Sequence, residues 1–262
     1  MLTRKKSDEW DSGDWSLDHE SHLPTKLVER LGGSYSADLG IRLASMESDE
    51  VFKWFVASVL LGSTLGEDMA MNVYRRLEKA RVNSIDVLAR IGPLDLVNIV
   101  QQGGYEALDM RTAKRLLHAA GSLKQDYQGD LNRLHFFAED ERDLERRLRG
   151  LAMGVGPVTL YIFLRELRGL WDKAAPRLSD AALLASNNLG LGQEGDATCA
   201  LERLRMLWDT DEQDETHFGD FEVALEKLGN RYCRRKRCSA CPMSPECRTG
   251  DTSPERENLT RR

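Results

Sequence analysis

The sequence predicts an all-α fold. Three observations point there: apolar residues recur at helical spacing from Pro24 onward, no run alternates with the period of two that a strand needs, and glycine or proline breakers separate the apolar stripes. Residues 1–23 lack such a pattern. They are polar and acidic overall, hold Trp10 and Trp15, and read as a disordered tail. Ser48-Asp49-Glu50 supply helix-start signals, and Phe52, Phe55, Val56, Val59 and Leu60 then follow the i, i+3, i+4, i+7, i+8 stripe of a core-facing helix. Ala113, Leu116, Leu117 and Ala120 form a second stripe, and Leu160, Phe163, Leu164 and Leu167 a third. Leu201, Leu204 and Trp208, then Phe221, Leu225 and Leu228, mark two later helices. Gly103-Gly104, Gly154-Val155-Gly156-Pro157 and the stretch from Asn187 to Gly192 interrupt the pattern. Residues 209–215 are acidic and apolar-free, as a solvated loop would be, and 249–262 read as a flexible tail.

Composition bounds the function. The 262 residues are 41% hydrophobic and 31% charged, enough for one large or two modest domains. A net charge of -6 excludes a globally basic nucleic-acid binder, so any such face must be a local patch. There is no apolar stretch of about 18 residues, and the N-terminus has no apolar signal core. An intracellular, cytoplasmic protein without a membrane partner is therefore expected. In a reducing compartment, clustered cysteines read as metal ligands before disulfides.

Two motifs carry chemistry. In the first, a charged helix from Glu141 to Ala152 meets Met153-Gly154-Val155-Gly156, and Pro157 opens a helix from Val158 to Leu170. Proline suits a first helical position, and the glycines permit a tight reversal. The backbone N–H groups at such a helix start form an anion site shaped for a DNA phosphate. Arg146, Arg147 and Arg149 precede the turn, and Arg165 and Arg168 follow it. A plain turn between two helices is the alternative.

The second motif is Cys233-RRKR-Cys238-SA-Cys241-PMSPE-Cys247, which gathers four of the chain's five cysteines. Gaps of four, two and five residues run in sequence. This is compact for a two-knuckle zinc site and suits wrapping a cubane, so a [4Fe-4S] cluster is favoured over zinc. Cys199 stands apart and reads as an ordinary buried thiol. Arg234, Arg235, Lys236 and Arg237 fill the first gap, a small loop of four cations that calls for an anion, with nucleic-acid phosphate favoured over a merely solvated turn.

Together, in this order, the motifs resemble the endonuclease III branch of the helix-hairpin-helix DNA glycosylases, from about Pro24 to Cys247. Gly154-Val155-Gly156 matches that family's hairpin. Gly229-Asn230-Arg231-Tyr232-Cys233 resembles the family's approach to its cluster, and the closing Cys-x-x-Cys-Pro…Cys is also similar. The segment from Val59 to Thr64 resembles the helix end that carries an inserted glutamine there, and Gly103-Gly104-Tyr105 with Arg111 to Lys114 resembles a further family segment.

The resemblance implies two helical lobes flanking a cleft that receives double-stranded DNA and a flipped base. One is a six-helix barrel at 50–171; the other combines 24–49 with 172–248 and holds the cluster. It assigns Thr64, Tyr105, Gly154, Val155, Gly156 and the basic loop to DNA, the four clustered cysteines to the metal, and a monomer near the nucleoid to the whole. The departures concern chemistry. The position of the attacking lysine in bifunctional members holds Val158, so strand cleavage through it is not expected. The family's carboxylate position falls at Ala175-Pro176-Arg177, which leaves Asp172 and Asp180 as the nearest candidates for catalysis. The expectation is a monofunctional N-glycosylase for damaged or mispaired bases, or a catalytically silent relative that still grips DNA.

Overall fold

A computed structural model describes residues 22–101, 109–192, 197–210 and 218–249. Tyr105, Gly103 and Gly104 lie outside the described residues, as do Trp10, Trp15 and most of the acidic 209–215 stretch. Among the described residues the fold is helical throughout, with a single isolated bridge between Arg168 and Trp171 in place of any strand. No helix there is long and apolar enough to cross a membrane. The chain forms two compact units. One spans residues 33–177; the other joins residues 22–32 to the described residues from 178 onward.

The first unit is built around α3 (Ser48–Leu61). The sequence predicted a one-sided stripe, yet Trp54, Ala57 and Ser58 are buried along with Phe55, Val56 and Val59. The helix is wrapped on every side, because α4 (Glu67–Lys79), α7 (Met110–Tyr127), α8 (Leu131–Phe137) and α10 (Pro157–Glu166) all pack on it. Trp54 donates its indole N–H to the Phe163 carbonyl at 3.0 Å, which satisfies the one polar atom that this ring carries inward. Phe55 meets Phe163 edge to face at 5.4 Å. Where α3 ends, a Cβ on Gly62 would lie 2.9 Å from the Thr159 Cα, so the close approach of α10 admits no side chain there. Short α2 (Tyr35–Asp38), α5 (Ile85–Leu88), α6 (Pro93–Gln101) and α9 (Glu141–Gly150) complete the unit.

The dividing points differ from those expected. Residues 33–49 belong to this unit because the buried Glu166 carboxylate accepts the N–H groups of Tyr35 and Ser36 at 2.9 and 3.0 Å. Residues 172–177 stay with it as well. Trp171 stacks on His135 at 4.6 Å and donates to Asn132 at 3.1 Å, and Arg168 donates to the Pro176 carbonyl at 2.5 Å.

The second unit joins α1 (Leu23–Leu31) to α11 (Asp180–Leu189), α12 (Ala197–Thr210) and α13 (Phe218–Leu228). Leu23, Leu27 and Leu31 form a one-sided stripe on α1, so the expected tail already contributes to the core at residue 23. They share one core with Ala182, Ala185 and Leu189 of α11 and with Phe221, Ala224 and Leu225 of α13, the helix on which α1 packs. Ser179 caps α11 by accepting the Ala182 N–H at 3.1 Å. On α12 the inward face runs Ala200, Leu204, Trp208, and Trp208 stacks on Phe221 at 5.7 Å. Cys199, expected to be buried, lies one residue off that face and is exposed. Asp209 is helical rather than part of a loop.

After α13 the backbone widens into a π turn, Gly229–Cys233, in which the Arg234 N–H reaches the Gly229 carbonyl at 2.9 Å. This turn sits hard against α11: a Cβ on Gly229 would fall 2.1 Å from the Ala181 carbonyl oxygen. Gly229→Ala is expected to lower unfolding stability by about 2 kcal/mol, since backbone must move to admit it. Urea denaturation of wild type and variant reads the loss directly.

Candidate metal centre and nucleic-acid interface

The π turn delivers Cys233 to one side of a cavity. Two 3₁₀ turns, Cys238–Ala240 and Ser244–Glu246, deliver the other three cysteines. The Cys241 N–H reaches the Cys238 carbonyl at 3.1 Å, and the Cys247 N–H reaches the Ser244 carbonyl at 3.3 Å. A backbone hydrogen bond thus closes the gap between Cys238 and Cys241, and another tightens the turn that leads into Cys247. Cys233, Cys238, Cys241 and Cys247 together line a cavity of about 460 Å³, with Asn188, Tyr232 and Lys236 among its other walls. Four thiols around one volume are a donor set that a metal group could use.

The surroundings of the ring oppose loss of the thiol protons. Burial pushes the Cys233 and Cys241 thiols up, and the neighbouring sulfurs raise them further by mutual repulsion. Asn188 works the other way. Its side chain hydrogen-bonds Cys233, while its carbonyl faces the Cys247 sulfur at 3.5 Å and accepts the Arg248 N–H at 2.8 Å. Sequence reading took Asn188 only for part of a helix end. The helix start at Ser179 and the αL glycine at Gly190 place it, one turn before the chain leaves α11.

Arg234, Arg235, Lys236 and Arg237 are all exposed. Lys236 adopts a positive φ of 51°, which tightens the loop, and its side chain contributes to the cysteine cavity wall. Arg234 is steadied by Asn230 at 3.1 Å. Four exposed cations thus follow Cys233 on an acidic chain, and one of them, Lys236, lines the thiol cavity.

The glycine hairpin lies in the first unit. Gly154 has φ +93°, Val155 is buried, and Pro157 begins α10 with Gly156 as its cap. The arginines expected to serve it are engaged elsewhere. Arg165 is 0% exposed and lies over the Tyr35 and Tyr161 rings at 5.7 and 5.2 Å, and Arg168 is buried. Arg147 pairs with Asp143 at 2.8 Å, Arg146 pairs with the same carboxylate, and Arg149 pairs with Glu145 at 3.2 Å.

Different cations take their place. Gly62, Ser63 and Thr64 from the end of α3, Asp109, Arg111 and Arg115 from the start of α7, and the hairpin from Gly154 to Thr159 line one pocket of about 270 Å³. The Arg115 guanidinium lies against Gly154, so closely that a Cβ there would sit 2.6 Å from its Nε. That Nε is buried without a hydrogen-bond partner. Asp109 caps α7 by accepting the Thr112 N–H at 2.6 Å; this bond, helped by the charges of Arg111 and Arg115, holds its carboxyl below the usual range. The Asp-x-x-Thr spacing ahead of an apolar helix could have flagged this cap. Nothing in the sequence could have placed Arg115 on the hairpin.

Val158 is 60% exposed in this pocket and offers no amine. Asp172 bonds His135 at 2.6 Å and lies 3.8 Å from Lys173. Loss of hydration works to raise its carboxyl, but the His135 hydrogen bond and the Lys173 charge outweigh this and leave it lowered. Asp180 is the exposed first residue of α11, with Ser179 rather than Asp180 as the cap.

Comparison with known protein families and with curated proteins finds no match to this chain.

Gly154→Ala is expected to cost about 1–3 kcal/mol, because the positive φ and the Arg115 contact both oppose a side chain. Met153→Ala, at a neighbour 95% exposed, should change stability by no more than about 0.5 kcal/mol. Paired thermal melts compare the two.

Proposed function

We propose that the chain is a DNA-binding base-excision-repair protein of the endonuclease III type, a monofunctional N-glycosylase for damaged or mispaired bases. It carries a [4Fe-4S] cluster on Cys233, Cys238, Cys241 and Cys247. The observation that carries this reading is the cavity ringed by those four thiols, the first two of which flank four exposed cations in the chain. Bound there, the cluster supplies the positive charge that lets four thiolates share one cavity, and it fixes the tail mechanically.

The residues divide the work. Arg234, Arg235, Lys236 and Arg237 meet backbone phosphates. Thr64, the hairpin backbone and the Arg111–Arg115 face form a second contact, in which helix N–H groups and guanidinium donors suit a phosphate oxygen. With Val158 in place of an amine, the base would leave by attack of water, and the sugar would not be held covalently. The six-helix barrel and interlobe cleft of that family belong to the same reading.

A second reading is a DNA-binding relative without catalysis. One observation favours it: of the two candidate carboxylates, Asp172 is already engaged by His135, and Asp180 is merely the exposed first residue of α11.

Anaerobically purified protein is expected to contain about four iron atoms per chain and a broad visible absorbance, whereas colourless zinc-loaded protein would sink the metal assignment. Duplex affinity should fall steeply with salt. Combined Arg234→Ala, Arg235→Ala and Arg237→Ala changes should flatten the log–log slope by about 2–3, and an unchanged slope removes the loop from the interface. Incubation with duplexes carrying different lesions, with and without alkali, separates the two readings. Base release with strand scission only after alkali supports the glycosylase; binding without release supports the silent relative.

A further inference from the structure

Helix α1 and the cysteine loop are separated by more than two hundred residues of chain, yet one ion-pair cluster joins them. Arg30 donates to the Pro242 carbonyl at 2.6 Å and reaches the Glu246 carboxylate at 3.0 Å. Lys26, one turn earlier on the same face, pairs with the other Glu246 oxygen. Pro242 follows Cys241 directly and Glu246 precedes Cys247, so a single guanidinium grips both ends of the segment between the third and fourth cysteines. Between them Met243 is fully buried in the core that α1 helps to form, with its sulfur 3.8 Å from Arg30. Glu246 is only 9% exposed, whereas Lys26 and Arg30 reach it from half-exposed positions. A buried carboxylate held this way has little reason to be there for stability alone, since an apolar side chain could fill the space.

We infer that Lys26, Arg30 and Glu246 form a clamp that positions Cys241 and Cys247 for the metal group, making α1 part of the mounting of the centre. The inference rests on the four-cysteine reading above. It assigns a task to the N-terminal helix that no feature of the cysteine motif implies. The clamp fixes the spacing of two ligands before any metal arrives. It also resists the outward movement of the loop that must precede loss of a ligand. Partners that orient metal ligands from one shell out commonly change metal retention by about tenfold or more when removed.

The test uses the full chain, purified without oxygen, and follows iron release to an iron(II) chelator by loss of visible absorbance, with far-ultraviolet circular dichroism recorded alongside. Lys26→Ala with Arg30→Ala is expected to release iron about tenfold faster than wild type while helicity is kept. Glu246→Gln should do the same, and Lys26→Arg should restore wild-type retention. Lys26→Ala alone, at a half-exposed site that folding tolerates, should quicken release about threefold. Release at the wild-type rate in Lys26→Ala and in the double variant overturns the clamp and leaves the metal reading intact. Wild-type protein that takes up no iron overturns the metal reading, and the clamp with it.

Discussion

Four thiols around one cavity pose a charge problem on which the rest of the second unit depends. Burial and mutual repulsion both favour the protonated forms of Cys233 and Cys241, so charge on these sulfurs calls for a compensating cation. The π turn, two 3₁₀ turns and the Asn188 amide aim the sulfurs at one volume, and the backbone closes each step with a hydrogen bond. Little hydrophobic area is available in this segment, in which Met243 is the fully buried apolar side chain. Its order has to come from polar contacts and from whatever fills the cavity.

The distribution of positive charge follows from that constraint. A chain with net charge -6 places four consecutive exposed cations between two cysteines of the ring. Cys233 and Cys238 at its two ends keep the loop short, so the cations have little room to spread apart and relieve their repulsion. In the first unit the opposite economy applies. There Asp143 and Glu145 take up the arginines of α9, and two tyrosine rings and a buried glutamate surround Arg165. What remains for an anion at the hairpin is Arg111 and Arg115, on a helix brought there by packing rather than by sequence proximity.

Much of the fold was legible in the sequence because helix burial leaves a periodic trace. Phe163, Leu164 and Leu167 all face inward as their spacing requires, and so do Phe221, Leu225 and Leu228. The cysteine spacing likewise announced a single cavity, since gaps that short leave the chain few ways to separate the sulfurs. What failed to show was everything set by a second element. Arg165 and Arg168 follow the hairpin in sequence, but other segments cover them, Arg165 lying over Tyr35 and Arg168 donating to the Pro176 carbonyl. Cys199 differs from Ala200 by one position on a helix, enough to exchange core for solvent. Residues 33–49 are tied to the first unit in part by Glu166, whose bonds to Tyr35 and Ser36 have no local signature.

The carboxylates limit what chemistry the proposed glycosylase could perform. A general base that draws a proton from water works best when its pKa lies near the working pH. The carboxyls of Asp109 and Asp172 are displaced the other way, Asp109 chiefly by a backbone N–H and Asp172 by a histidine bond that outweighs lost hydration. They are poor proton acceptors but permanent negative charges. Such a charge can still act, because departure of a base leaves positive character on the sugar, and an anion fixed beside it lowers the barrier without any proton transfer. Asp109 shares its pocket with the hairpin, yet Arg111 and Arg115 stand next to it and oppose a cationic sugar.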